Sequence, residues 1–167
     1  PVLTGNLGYY LNLYNVWSTY GVESEGVFIA YASVYGHTEK AAKLLAEQLE
    51  ERGVKVTVSD LARSDWAENV EDAFRYGKLV LATPTYNGDV FPVMREFILH
   101  LTERNFQNRT IAFIENGSWA PFATKVMKGM LEGCKNLTFA QTEVKILSSM
   151  SKENELQIQN LADELAK

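Results

Sequence analysis

From residue 27 onward, short apolar runs alternate with stretches whose apolar residues recur every three or four positions. Residues 27–32, VFIAYA, form an unbroken β-rich run, and residues 38–52 then set Ala41, Ala42, Leu45 and Leu49 on one helical face. VKVTVSDL, residues 54–61, alternates as a strand does, and is followed by a loop holding Trp66 and a short helix near residues 70–76. KLVLATP, residues 78–84, is a continuous apolar run ended by Pro84. Residues 91–105 read as helix, RTIAFIENG (109–117) as a fourth strand and residues 123–131 as helix. LTFAQTEVKIL (137–147) reads as a fifth strand, and Ile158, Leu161, Ala162 and Leu165 mark a last amphipathic helix.

Strands alternating with helices, several of them apolar on both faces, predict an α/β protein with a parallel sheet covered on both sides. Right-handed crossovers make this a doubly wound, three-layer sandwich. A five-stranded parallel sheet favours the strand order 2-1-3-4-5 over the six-stranded dinucleotide arrangement. Ligands then sit beyond the carboxyl ends of the strands, at the switch point between strands 1 and 3.

Residues 1–25 precede this pattern. Leu3, Leu7, Tyr10, Leu11, Tyr14 and Trp17 recur at helical spacing and predict an amphipathic helix closed by Gly21. It reads either as an N-terminal helix on the domain surface or as a connector from an upstream domain. Residues 26–167 form the single domain that follows. The first residue is proline, and we read the chain as cut from a longer protein.

Composition narrows the function classes. A formal charge of −5 without any lysine/arginine cluster argues against nucleic acid or an anionic membrane as partner. One cysteine, Cys134, suits a reducing compartment, and no apolar run approaches the length of a spanning helix. The start has no signal-peptide pattern, so the expected location is cytoplasmic.

Three turns should meet at the carboxyl end of the sheet. The first, Ser33-Val34-Tyr35-Gly36-His37-Thr38, opens a helix whose unpaired N–H groups and dipole favour an anion. Gly36 permits a close approach or a positive φ, and Ser33, Tyr35 and Thr38 offer hydroxyls. Ordinary capping by Thr38 is the plainer alternative, but it needs neither Ser33 nor Tyr35. The second turn runs Pro84-Thr85-Tyr86-Asn87-Gly88, with Asn-Gly a strong turn pair and Tyr86 either projecting or buried with its hydroxyl satisfied. The third is Asn116-Gly117-Ser118-Trp119, with an aromatic on a polar loop. An anion cradle flanked by two aromatics suits a planar phosphorylated ligand, and flavin mononucleotide (FMN) is the natural candidate. No G-x-G-x-x-G or Walker A pattern is present, and the acidic residues of a response-regulator receiver are missing: Ala32-Ser33 and Thr83-Pro84 stand in their places.

YASVYGHTEKAA, TPTYNGDVFP and NGSW together resemble the flavodoxin superfamily over residues 27–167. More closely, they look like the flavodoxin-like domain of flavo-diiron proteins, and LYNVWSTYG resembles the segment that joins that domain to its metal domain. The resemblance implies an FMN-binding electron-transfer domain that receives electrons from a reductase or rubredoxin. It would pass them to an upstream diiron domain reducing oxygen or nitric oxide, in a protein that can be a homodimer. No metal or catalytic residue is implied in this chain, whose only histidines are His37 and His100. His37 stands where many relatives carry asparagine. It either contacts the phosphate or sits at the loop tip. The rival readings are a stand-alone flavodoxin-like carrier and an NAD(P)H-dependent quinone reductase.

Overall fold

The computed structural model describes residues 5–167, so Leu3 of the N-terminal pattern lies outside the described residues. The elements are α1 (Leu7–Ser18), β1 (Ser24–Tyr31), α2 (His37–Glu51), β2 (Val56–Asp60), α3 (Trp66–Arg75) and β3 (Tyr76–Tyr86). They continue with β4 (Asp89–Val90), α4 (Pro92–Glu103), β5 (Thr110–Gly117), α5 (Ala123–Leu131), β6 (Thr138–Phe139), β7 (Val144–Leu147) and α6 (Lys152–Leu165).

The sheet runs β2-β1-β3-β5-β6, and β7 also pairs with β5; every one of these pairings is parallel. Counted as the fifth strand, β6 and β7 give the predicted 2-1-3-4-5 order. Alternate strand residues feed opposite faces, as the two-residue period requires. Val27, Ile29, Val80, Ile114 and Val144 meet Leu45 and Leu49 of α2 and Ile158 and Leu161 of α6. Phe28, Leu79, Leu81, Ile111 and Phe113 meet α3, α4 and α5 on the other face, through Val70, Phe97, Ile98 and Met127. Each large side chain buried this way stabilises the fold by roughly 1.5–3 kcal/mol.

Four local expectations need correction. Trp66 is not in a loop: Asp65 caps α3 by accepting from the Ala67 N–H at 2.7 Å, so the helix begins at Trp66. There the indole stacks on His100 at 4.7 Å between ring centroids. The fifth strand is broken between β6 and β7, because Gln141 and Thr142 donate their N–H groups to the Glu164 carboxylate of α6 (2.7 and 2.9 Å) rather than to β5. Thr38 does not cap α2; Gly36 holds the cap position, with φ +82°. Lastly, α1 is closed by Tyr20, not Gly21. Tyr20 takes the left-handed conformation (φ +54°), and the Gly21 N–H returns to the Val16 carbonyl at 2.8 Å, a Schellman closure.

No residue of α1 is buried, and Leu7, Tyr10, Leu11, Tyr14 and Trp17 are all exposed; Leu13 and Val16 are half-buried instead. Among the described residues, no helix is long and apolar enough to cross a membrane.

Candidate functional site

The first and third turns meet where β1, β3 and β5 end. They enclose a cavity of about 290 Å³ lined by Ser33, Val34, Tyr35, His37 and Thr38 from one side. Pro84 and Thr85 line it from the second turn, and Asn116, Gly117 and Ser118 from the third. Gly36 is the pivot of the first turn: an added Cβ would meet nothing within 4 Å, so glycine is required there by the positive φ alone.

Two helices open beside this cavity and are finished differently. At α5 the chain satisfies its own donors. Thr85 Oγ1 accepts from the N–H groups of Phe122 (2.9 Å) and Ala123 (3.2 Å), and Glu115 accepts from Thr124 N–H at 2.9 Å. Glu115 is itself buried and also paired with Lys145 at 3.1 Å. At α2 no side chain caps the helix, and Gly36 N–H bonds the Ser33 hydroxyl at 3.1 Å. The N–H groups of Val34, Tyr35, His37, Thr38 and Glu39 have no partner among the described residues. Such a set of converging donors at the positive end of a helix dipole suits an anion. No lysine or arginine lines the cavity, so neutral donors would hold it.

His37 is not at the loop tip. It is the first residue of α2, half-buried, and forms part of the cavity wall. Tyr86 and Trp119 stand outside the cavity, while Tyr35 lines its rim. Tyr35 is 88% and Trp119 95% exposed, so neither is a packing residue. Tyr86 is half-exposed rather than buried, and packs edge-on against Phe91 at 5.6 Å. Asn87 and Gly88 both have positive φ (+51° and +72°), the pair a type I′ turn needs, and they join β3 to β4 as a tight antiparallel hairpin. Arg95 of α4 holds that hairpin through Asp89 at 2.5 Å. Tyr86 and Asn87 line a shallow groove beside α4, not the cavity.

Sequence reasoning missed Ser148. It follows β7, lines the cavity and clamps the third turn, accepting from Asn116 Nδ2 at 3.2 Å and donating its N–H to the Gly117 carbonyl at 3.2 Å. The visible signal was its place at the carboxyl end of the last strand.

A larger cavity, about 470 Å³, lies at the opposite end of the sheet between Trp17, Tyr20, Phe74 and Arg109. Size alone would favour it. Most of its polar groups, however, are engaged internally: Arg109 donates to the carbonyls of Tyr20 and Gly21 (2.8 Å each) and Trp17 Nε1 to Glu23 at 2.8 Å, with Arg109 Nε left without a partner among the described residues. Burial pushes the Cys134 thiol above its usual pKa, the opposite of an activated nucleophile.

Fold and site together define an α/β domain whose first strand–helix turn leaves its N–H donors without a partner among the described residues, beside a cavity. The flavodoxin family's sequence profile matches residues 29–156, and the chain belongs to that family. It is 32% identical over 101 residues to the coenzyme F420H(2) oxidase of Methanothermobacter marburgensis, covering 60% of this chain and 24% of that protein. It is 23% identical to the rubredoxin-oxygen oxidoreductase of Megalodesulfovibrio gigas over 84% of this chain and 35% of that one. The solved rubredoxin oxygen:oxidoreductase from Desulfovibrio gigas superposes with a TM-score of 0.87 at 21% identity, over 96% of this chain and 39% of that one. A flavodoxin from the domain Archaea superposes at 0.73 with 16% identity, over 86% of this chain and 96% of its own. The chain spans between 24% and 40% of the curated relatives it matches.

Proposed function

We propose that this chain is an FMN-binding electron-transfer domain whose cofactor phosphate is held at the start of α2. The observation that carries the reading is the contrast between the two helix openings: α5 is capped by the protein, while α2 leaves its donors free beside a cavity. The residues fit the group. Ser33, Thr38 and the main chain of residues 34–38 would bind the phosphate. At about 290 Å³ the cavity is small for a whole nucleotide, so the ring would lie at its mouth, between Tyr86 and Trp119. When bound, flavin supplies one- and two-electron transfer, and the protein sets orientation, access and potential. The chain's charge of −5 opposes further negative charge at the site and lowers the potential.

In its natural setting, which we read as cytoplasmic, the domain would take electrons from a reductase or rubredoxin. It would deliver them to an upstream diiron domain joined through residues 1–25. The likeness to the rubredoxin oxygen:oxidoreductase over nearly the whole chain supports this reading. A stand-alone carrier is the second reading, favoured by the match to almost the full length of an archaeal flavodoxin.

Purified protein mixed with FMN should bind one equivalent and keep the yellow colour through gel filtration. Protein that stays colourless, with no change in the visible spectrum of added FMN, overturns the proposal. Fusion partners separate the two readings: a coding sequence with a metal domain ahead of Pro1 supports the relay, and an initiating methionine just before it supports the carrier.

A further inference from the structure

Seven described residues other than glycine adopt a positive φ, and five of them are asparagine, the side chain that best tolerates this backbone. The exceptions are Tyr20 and Ser148. Tyr20 has a packing reason: its ring packs on Phe74 and its carbonyl is held by Arg109. Ser148, at φ +66°, has no such packing, and serine gains nothing over glycine or asparagine for the backbone itself. Its main-chain N–H and carbonyl are both engaged by the third turn. The residue is exposed, its hydroxyl has no hydrogen-bond partner among the described residues, and it lines the same cavity as the α2 turn.

We propose that Ser148 is a fourth ligand-contacting element of the site, its hydroxyl bonding an oxygen of the phosphorylated polyol chain of the flavin. Strain of this kind persists where a side chain must be aimed, and the clamp from Asn116 and Gly117 does the aiming. The contact would close the cavity from the β7 side, the side that the three sequence-visible turns leave open. The oxygen is either on the phosphate or on the ribityl hydroxyls; both accept a hydrogen bond from serine.

The inference rests on the flavin reading, and the experiment separates the two. FMN and riboflavin are titrated by flavin fluorescence into wild type, Ser148→Ala and Ser148→Gly, and the ligand-free proteins are melted alongside. Both variants should bind FMN about fivefold more weakly, the factor lost with one ordinary hydrogen bond. Ligand-free Ser148→Gly should melt no lower than Ser148→Ala, since glycine accepts the left-handed backbone. Weakened FMN binding with unchanged riboflavin binding places the contact on the phosphate; equal weakening of both places it on the polyol. Wild-type affinity in Ser148→Ala overturns the inference while leaving the flavin reading intact. Wild-type affinity in Ser148→Gly alone also overturns it, because backbone geometry would then account for the loss in alanine. A wild-type protein that binds no flavin removes both.

Discussion

Single residues at this site are chosen for backbone angle as often as for side-chain chemistry. Gly88 is the clearest case. Its φ is +72° and a Cβ there would meet nothing within 4 Å, so a substitution costs conformational energy alone. Gly88→Ala should therefore lower stability by about 1 kcal/mol in urea denaturation, and Gly88→Asn by less, because asparagine tolerates the left-handed region. A loss of several kcal/mol would mean that the turn packs more tightly than its geometry shows. Much of this scale was legible in the chain. Asn87-Gly88 announces its own turn, and Gly36 between hydroxyl residues announces a strand-to-helix junction. The roles of Thr38 and Thr85 were not legible, because whether a hydroxyl caps a helix or faces a cavity depends on where another loop passes. Thr85 turned out to cap α5, thirty-odd residues away in sequence. The backbone angle of Ser148 was not legible either: its place after the last strand could be read, but nothing in Leu-Ser-Ser-Met marks a left-handed serine.

At the scale of elements, apolar runs predicted the strands and helices well where burial is two-sided, and less well where a polar side chain intervenes. The fifth strand reads as continuous from residue 137 to 147, yet it is interrupted because an α6 carboxylate outbids β5 for two N–H groups. Burial alone would raise the pKa of Glu164. The N–H groups of Gln141 and Thr142 outweigh it and hold the carboxyl below its ordinary 4.5. A depressed folded-state pKa contributes stability above the unfolded value, and that stability is lost as pH falls through the folded one. Glu164→Gln should thus cost about 1 kcal/mol at pH 7. The gap between variant and wild type should close below pH 4.5, as followed by thermal melts across pH. A gap that stays constant from pH 7 to pH 3 would show that the carboxylate's charge has no part in the clasp. The start of α3 was also written in the chain, as Asp65-Trp66-Ala67-Glu68, a cap signal that the aromatic in the middle disguised.

On the whole-molecule scale the domain has two ends with different work. The carboxyl ends of the strands carry the cavity, and the amino ends carry Arg109. That guanidinium is buried without a carboxylate partner among the described residues, and donates instead to carbonyls from the α1–β1 connection, α3 and the turn before β5. It ties three separated stretches of chain together. Replacing it by methionine, which keeps the length and loses the donors, should destabilise the domain by about 2–4 kcal/mol. Because Arg109 lies at the far end, flavin affinity in the folded fraction should not change. A parallel loss of affinity would show that the two ends are coupled. The layers followed from periodicity and the strand order from the count of five strands, since crossover handedness leaves few alternatives. The placement of residues 5–21 did not, because it depends on contacts from Arg109 and Phe74, far along the chain, rather than on a pattern.

The open start of α2 has a thermodynamic consequence. At α5 the chain carries its own stabilising cap, so that contribution is present in any buffer. At α2, on the proposed reading, the equivalent contribution arrives only with the anion that fills the turn. A ligand that binds the folded state alone adds about 2.7 kcal/mol when it stands at a hundred times its dissociation constant. The melting temperature of this domain is then a function of its surroundings as much as of its sequence. Its turnover in a cell would then track the supply of the proposed ligand.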